Sequence, residues 1–274
     1  MGLCIGYKEM YELQLTKIHS LLTEGNLNDI EEAINLENTL FIISYSIQLF
    51  KTTEEVENVN TFLHMLFKSE INQYNIPIKR ATMEIIHIIS EFFKEMNDET
   101  IQTYIMYIVD GFNTQILLET AAQCFNNMIL KNMNRFCSYL SQFLDNIPQF
   151  SQCITSYNNL WGKIFTSILQ LSCAVYGNTP EEFRNCLVKI FSPFITVLRE
   201  ESVSAERAHL CFEYIADLFR IIYEKKKTYG LIKEPSREVL IEIFPNILNI
   251  IEKYSQDEKT VEASSRVTKH ALRA

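Results

Sequence analysis

Three cations near the end of the chain, Arg266, Lys269 and Arg273, stand at i, i+3 and i+7. On a helix this spacing aligns them along one face over two turns. Such a row can hold carboxylates or phosphates, because each arginine can engage two oxygens through a planar fork and the lysine acts as a point charge. The same spacing also suits a solvated helix face with cations near its C-terminus, so position alone leaves both readings open. Lys225-Lys226-Lys227 reads as a wet loop.

Other chemistry is hard to assemble. The five histidines (His19, His64, His87, His209, His270) form no H-E-x-x-H, and only His209 stands close to a cysteine, Cys211. Residues two apart on a helix point to different faces, and a zinc site needs four ligands. The seven cysteines (Cys4, Cys124, Cys137, Cys153, Cys173, Cys186, Cys211) include no C-x-x-C pair and sit mostly in apolar stretches. They read as reduced, buried thiols of an intracellular protein. No G-x-x-x-x-G-K-[ST] or G-x-G-x-x-G occurs, so no phosphate cradle, no cofactor and no enzymatic activity are expected. Aromatic residues such as Phe92, Phe93, Trp161 and Phe165 fall at core spacing.

The elements that must position these residues are helical. Of 274 residues, 47% are hydrophobic and 22% charged, the balance of a chain that buries a core. Only 7 Gly and 6 Pro are present, too few for the strand-to-helix turns of an α/β enzyme. Apolar residues recur at helical intervals, as in Met83, Ile86, Ile89, Phe93 and in Leu210, Tyr214, Leu218, Ile221. No apolar run reaches the ~20 residues of a membrane span, and Met1 to Tyr11 has no secretory signal pattern. The net charge of −9 disfavours general nucleic-acid binding and permits attraction to basic protein partners without identifying one.

The periodicity predicts helices over 7–22, 28–50, 54–69, 77–95, 98–111, 115–131, 133–145, 154–176, 180–199, 203–224, 236–254 and 257–274. Thr179-Pro180-Glu181-Glu182, Ser255-Gln256-Asp257-Glu258 and Asn97-Asp98-Glu99 mark helix starts, and Asn146 to Pro148 and Lys225 to Pro235 mark breaks. The fold class read from this pattern is all-α: a right-handed α-solenoid of about six HEAT-type antiparallel hairpins, forming one array over residues 1–274. Pro193 and Pro245 are expected to bend first helices of such hairpins.

Several fragments, in order, resemble the central part of the transportin-SR and importin-thirteen branch of the importin-β nuclear transport receptors. They are Glu37 with Leu40-Phe41-Ile42, Ile76 to Ala81 leading into Glu84-Ile85-Ile86, Ala121 to Asn127, Phe212 to Arg220, Ile243 to Leu248 and Val261 to Arg273. The resemblance implies a fragment of a longer receptor, moving between cytoplasm and nucleus and importing arginine-serine-rich splicing-type proteins under control of the GTPase Ran. It implies nucleoporins as further partners, and no direct contact with nucleic acid or membrane. By position, the arginines that contact phosphorylated arginine-serine domains in that family fall on Arg266, Lys269 and Arg273, with lysine replacing one and Ala263 standing where another is usual. Those three are therefore the expected cargo-binding residues, facing a concave side. A HEAT scaffold organising a cytoplasmic complex is the competing reading.

Overall fold

A computed structural model describes residues 2–25, 29–50, 53–69, 75–151, 160–231 and 233–274. The described residues are overwhelmingly helical and contain no strand. None of their helices is long and apolar enough to cross a membrane. The chain divides into two compact units, Met1–Asn132 and Met133–Ala274.

The first unit holds α1 (Gly2–Thr23), α2 (Ile30–Phe50), α3 (Thr53–Lys68), α4 (Ile76–Ile89), a 3-10 continuation over Ser90–Glu95, α5 (Asp98–Gly111) and α6 (Leu118–Lys131). Alternate helices stack. α2, α4 and α6 pack side by side in one layer, and α1 packs on α3 in the other. α3 and α5 meet through Phe67, whose ring lies 5.8 Å from Tyr104 and 4.8 Å from Tyr107. The Tyr104 hydroxyl also donates to Asn60 Oδ1 at 2.6 Å. Each layer supplies the apolar face that the other must cover.

The second unit repeats the scheme with α7 (Met133–Phe136), a 3-10 turn over Cys137–Tyr139, α8 (Leu140–Ser151), α9 (Leu160–Tyr176), α10 (Pro180–Leu198), α11 (Ala205–Tyr229), α12 (Lys233–Lys253) and α13 (Glu258–Ala271). Here α9, α11 and α13 form one layer and α8, α10 and α12 the other. Phe165, Phe194 and Tyr214 bring three helices together, with ring centroids 4.9 Å and 5.5 Å apart in succession. Phe93, Trp161 and Phe165 are fully buried, as their core spacing predicts, whereas Phe92 is only half-buried and lines a groove. This alternation of stacked helices is the all-α, solenoid-like packing expected from the sequence.

Local signals account for four of the helix starts. The side chains of Asn75, Asn97, Ser204 and Asp257 each accept the backbone amide three residues ahead, satisfying donors that a helix start leaves open. Pro193 sits inside α10, so the Lys189 carbonyl loses its usual i+4 donor, and the Ser192 hydroxyl donates to that carbonyl instead, at 2.9 Å.

Several sequence expectations are corrected. Thr179 does start α10, but its hydroxyl donates back to Tyr176 O at 3.1 Å and does not cap the helix. The cap of α13 is Asp257, two residues beyond Ser255, because the Asp257 carboxylate reaches the Thr260 amide at 2.8 Å. α8 continues through Asn146 to Ser151, carried by the buried face of Leu140, Phe143, Leu144 and Ile147. The proposed break over Lys225 to Pro235 is largely helix: α11 runs to Tyr229 and α12 starts at Lys233. Lys226 and Lys227 therefore occupy a last turn, where cations complement the helix dipole, and Pro235 falls in a first turn that needs no amide donor. The expected helix start near 154 and Cys153 lie outside the described residues, as does the side chain of Cys4.

Gly230 ends α11 at φ +63°, and the next amide, Leu231 N, bonds back to Lys226 O at 3.1 Å. A β-carbon at Gly230 would meet the Asn178 amide at 2.9 Å and would be held in the left-handed region. Gly230→Ala is expected to cost about 1–2 kcal/mol, read as a lowered urea midpoint at unchanged m-value.

Candidate functional site

α11 and α13 lie side by side and run in the same direction, as successive links between them show. The Thr260 hydroxyl donates to Ala205 O at 3.1 Å, His209 Nδ1 lies 3.1 Å from Lys259 O, and further along Arg266 pairs with Glu213. Close approach is possible because α13 buries mostly small side chains, Thr260, Ala263, Ser264, Val267 and Ala271.

At the start of this seam a groove of about 500 Å³ opens over Ala205 and Leu210, with Glu206, His209, Glu213, Asp257 and Lys259 around it. A carbonyl oxygen only accepts, so the short contact to Lys259 O places a proton on His209 Nδ1. Its Nε2 lies 3.9 Å from a Glu213 oxygen. The Asp257 carboxyl is held below its usual range by hydrogen bonds from the Thr260 side chain and amide, with smaller help from His209 and Lys259. With Glu213 taken up by Arg266, Glu206 and Asp257 still outnumber Lys259, which leaves the groove mildly acidic and suited to cationic groups.

The cations gather further along. Arg266 binds Glu213 through one terminal nitrogen, and its Nε–H finds no acceptor. Lys269 is exposed on α13, and no described acidic side chain forms an ion pair with it or with Arg273. Arg220, on α11, is held by Asp217 at 3.0 Å and Glu224 at 2.9 Å. Between these groups His270 is pushed below its ordinary pKa by burial and then by the charges of Lys269, Arg220 and Arg273, with Asp217 opposing. It therefore adds less positive charge near neutral pH than an unperturbed imidazole would.

The three residues singled out from spacing are brought to one end of the seam but not onto one unbroken helical row. α13 stops at Ala271 and Arg273 follows in a turn, its amide bonding to His270 O at 3.1 Å, because the ladder tightens from i−4 to i−3 there. Arg266 is partly committed to Glu213. Nothing in the sequence marks Glu213, while His209 stands out there only beside Cys211 and Asp257 only as part of the helix start before Thr260. His209 borders the groove while Cys211 is fully buried, so the pair points apart. Among the described residues no three His, Cys, Asp or Glu side chains gather as a metal site would require.

The first unit carries a smaller groove of about 230 Å³ across α2, α4 and α6, lined by Ser44, Gln48, Glu84, His87, Thr120 and Gln123. Asn127 Nδ2 lies 3.3 Å from His87 Nδ1, Lys131 pairs with Glu91 at 2.8 Å and Lys79 pairs with Asp110 at 2.9 Å. Burial, then Lys131, lowers the His87 pKa, while burial raises that of Glu84 against the pull of Arg80. Beside this groove α2 leaves Ile30, Ile34, Phe41 and Tyr45 exposed along one face. Comparison with protein-family models and with curated protein sequences finds no match to the chain.

Proposed function

We propose that this chain is a cargo-binding segment of a nuclear import receptor of the importin-β type, gripping an arginine-serine segment along the seam of α11 and α13. The observation that carries the proposal is the polarity of that seam. The acidic groove around Glu206 and Asp257 leads, past the Arg266–Glu213 pair, to the exposed Lys269 and Arg273. A peptide alternating arginine with phosphoserine offers guanidinium groups to the first and phosphates to the second. Ran and nucleoporins belong to the whole receptor in this reading, which moves between cytoplasm and nucleus.

Binding of phosphorylated and unphosphorylated arginine-serine peptides by fluorescence anisotropy tests the proposal. Lys269→Glu with Arg273→Glu changes only exposed side chains, so circular dichroism should be unaltered. Phosphate contacts of roughly 1.5–3 kcal/mol where shielded, discounted for exposure, put the expected loss at about tenfold or more for the phosphorylated peptide. The difference should shrink at high salt. Unchanged affinity would sink the reading.

The competing reading is a helical-repeat scaffold organising a cytoplasmic complex, and the exposed α2 stripe of Ile30, Ile34, Phe41 and Tyr45 favours it. Peptide binding that ignores phosphorylation but falls with Tyr45→Asp would support that alternative.

A further inference from the structure

We propose that α12 is a self-association helix, pairing antiparallel with α12 of a second copy about a two-fold axis between Phe244 and Pro245. α12 buries one apolar face, Val239, Ile243, Ile247 and Ile250, against its own unit. Its opposite face carries a second apolar stripe, in which Ile241 is 63%, Phe244 40% and Leu248 50% exposed. With Arg237 before it and Glu252 after it, the stripe has spacings of four, three, four and four residues, which keeps all five side chains on one face.

The order of this stripe is self-complementary. Ile241 and Leu248 stand equally far from the midpoint between Phe244 and Pro245, and so do Arg237 and Glu252. An antiparallel two-fold contact therefore sets Ile241 of each copy against Leu248 of the other, Phe244 against Pro245, and Arg237 against Glu252, twice over. The charges on α12 agree. Off the stripe, Glu238 pairs with Arg184, and Lys253 donates to Glu201 O at 2.7 Å. On the stripe, neither Arg237 nor Glu252 forms an ion pair with any described residue. The contact is one helix wide, below the ~1,200 Å² of a stable interface, so the dimer is weak and concentration-dependent. It is independent of the α11–α13 seam.

Sedimentation velocity over a range of protein concentrations tests the pairing. The unaltered chain should shift from monomer to dimer as concentration rises, and Leu248→Asp should leave it monomeric with unchanged circular dichroism. Arg237→Glu alone and Glu252→Arg alone each set like charges together, and each should weaken self-association roughly tenfold. An equal mixture of these two variants restores both ion pairs in the mixed dimer and should associate as the unaltered chain does. A chain that stays monomeric throughout, a mixture no better than its components, or association that survives Leu248→Asp overturns the proposal. The last outcome would move the contact to another face, such as the α2 stripe.

Discussion

Phe194→Ala is expected to lower the stability of the second unit by about 3–5 kcal/mol, a large part of the roughly 5–15 kcal/mol that holds a domain together. The ring is fully buried and lies 4.9 Å from Phe165 on α9 and 5.5 Å from Tyr214 on α11. It thus joins the two layers, and its loss leaves a cavity bounded by three helices. Edge and tilted aromatic contacts contribute beyond area alone, about 0.5–1.5 kcal/mol each. Collapse around the gap is restricted because Pro193 and the Ser192 hydroxyl bond fix the backbone immediately before it. Urea unfolding followed by far-ultraviolet circular dichroism measures the change. The control is Phe41→Ala on the exposed α2 stripe, where a shift within about 0.5 kcal/mol is expected. A Phe194→Ala loss no larger than that control would show that the aromatic cluster does not carry the unit.

The second large effect concerns thiols and pH. Burial pushes the Cys186 thiol up to about 11, with Ser172 and Lys189 opposing, and pushes Cys173 and Cys211 up to about 12. Cys124, fully buried, is raised further still. The thiolate is the nucleophile, so a three-unit rise lowers its population at pH 8 roughly a thousandfold. Alkylation of Cys173 and Cys211 in the native state should be slower than in urea by at least that factor, while the half-buried Cys137 reacts first among the described cysteines. Mass-spectrometric labelling against time measures this, and rapid native labelling of Cys211 would refute the burial account.

The same shifts make stability depend on alkaline pH. A thiol ionises near 8.5 in the unfolded chain and only at higher pH when buried, so its contribution is complete below 8.5. It is lost progressively as pH rises from there through the folded values of about 11 and about 12. The urea midpoint should therefore fall from about pH 9 upward, and replacing Cys211 with alanine should reduce that slope.

The elements were legible because their causes are local. Asn97 caps α5 with an oxygen three residues from its donor, and Met83, Ile86 and Phe93 keep one face of a single run apolar. Where local signals compete, the reading slipped. Lys225 to Pro235 looked like a loop because three lysines and a proline suggest one, yet the lysines suit the end of α11 and the proline the first turn of α12. The three cations of the candidate site stand out by their spacing, although Arg273 falls just past the end of α13.

What surrounds those cations came only from tertiary structure. Glu213 lies 53 positions from Arg266 and His209 lies 50 from Lys259, and no periodicity relates residues that far apart. Likewise Ile241 and Ile243 are equally apolar in sequence, and packing alone decides that one is exposed and the other buried. Short-range hydrogen bonds and side-chain spacing determine where each helix begins, ends and turns its apolar face. Which faces meet, which charges neutralise one another and which apolar stripe is left uncovered depend on contacts made after the chain has closed on itself, and those only the packed helices decide.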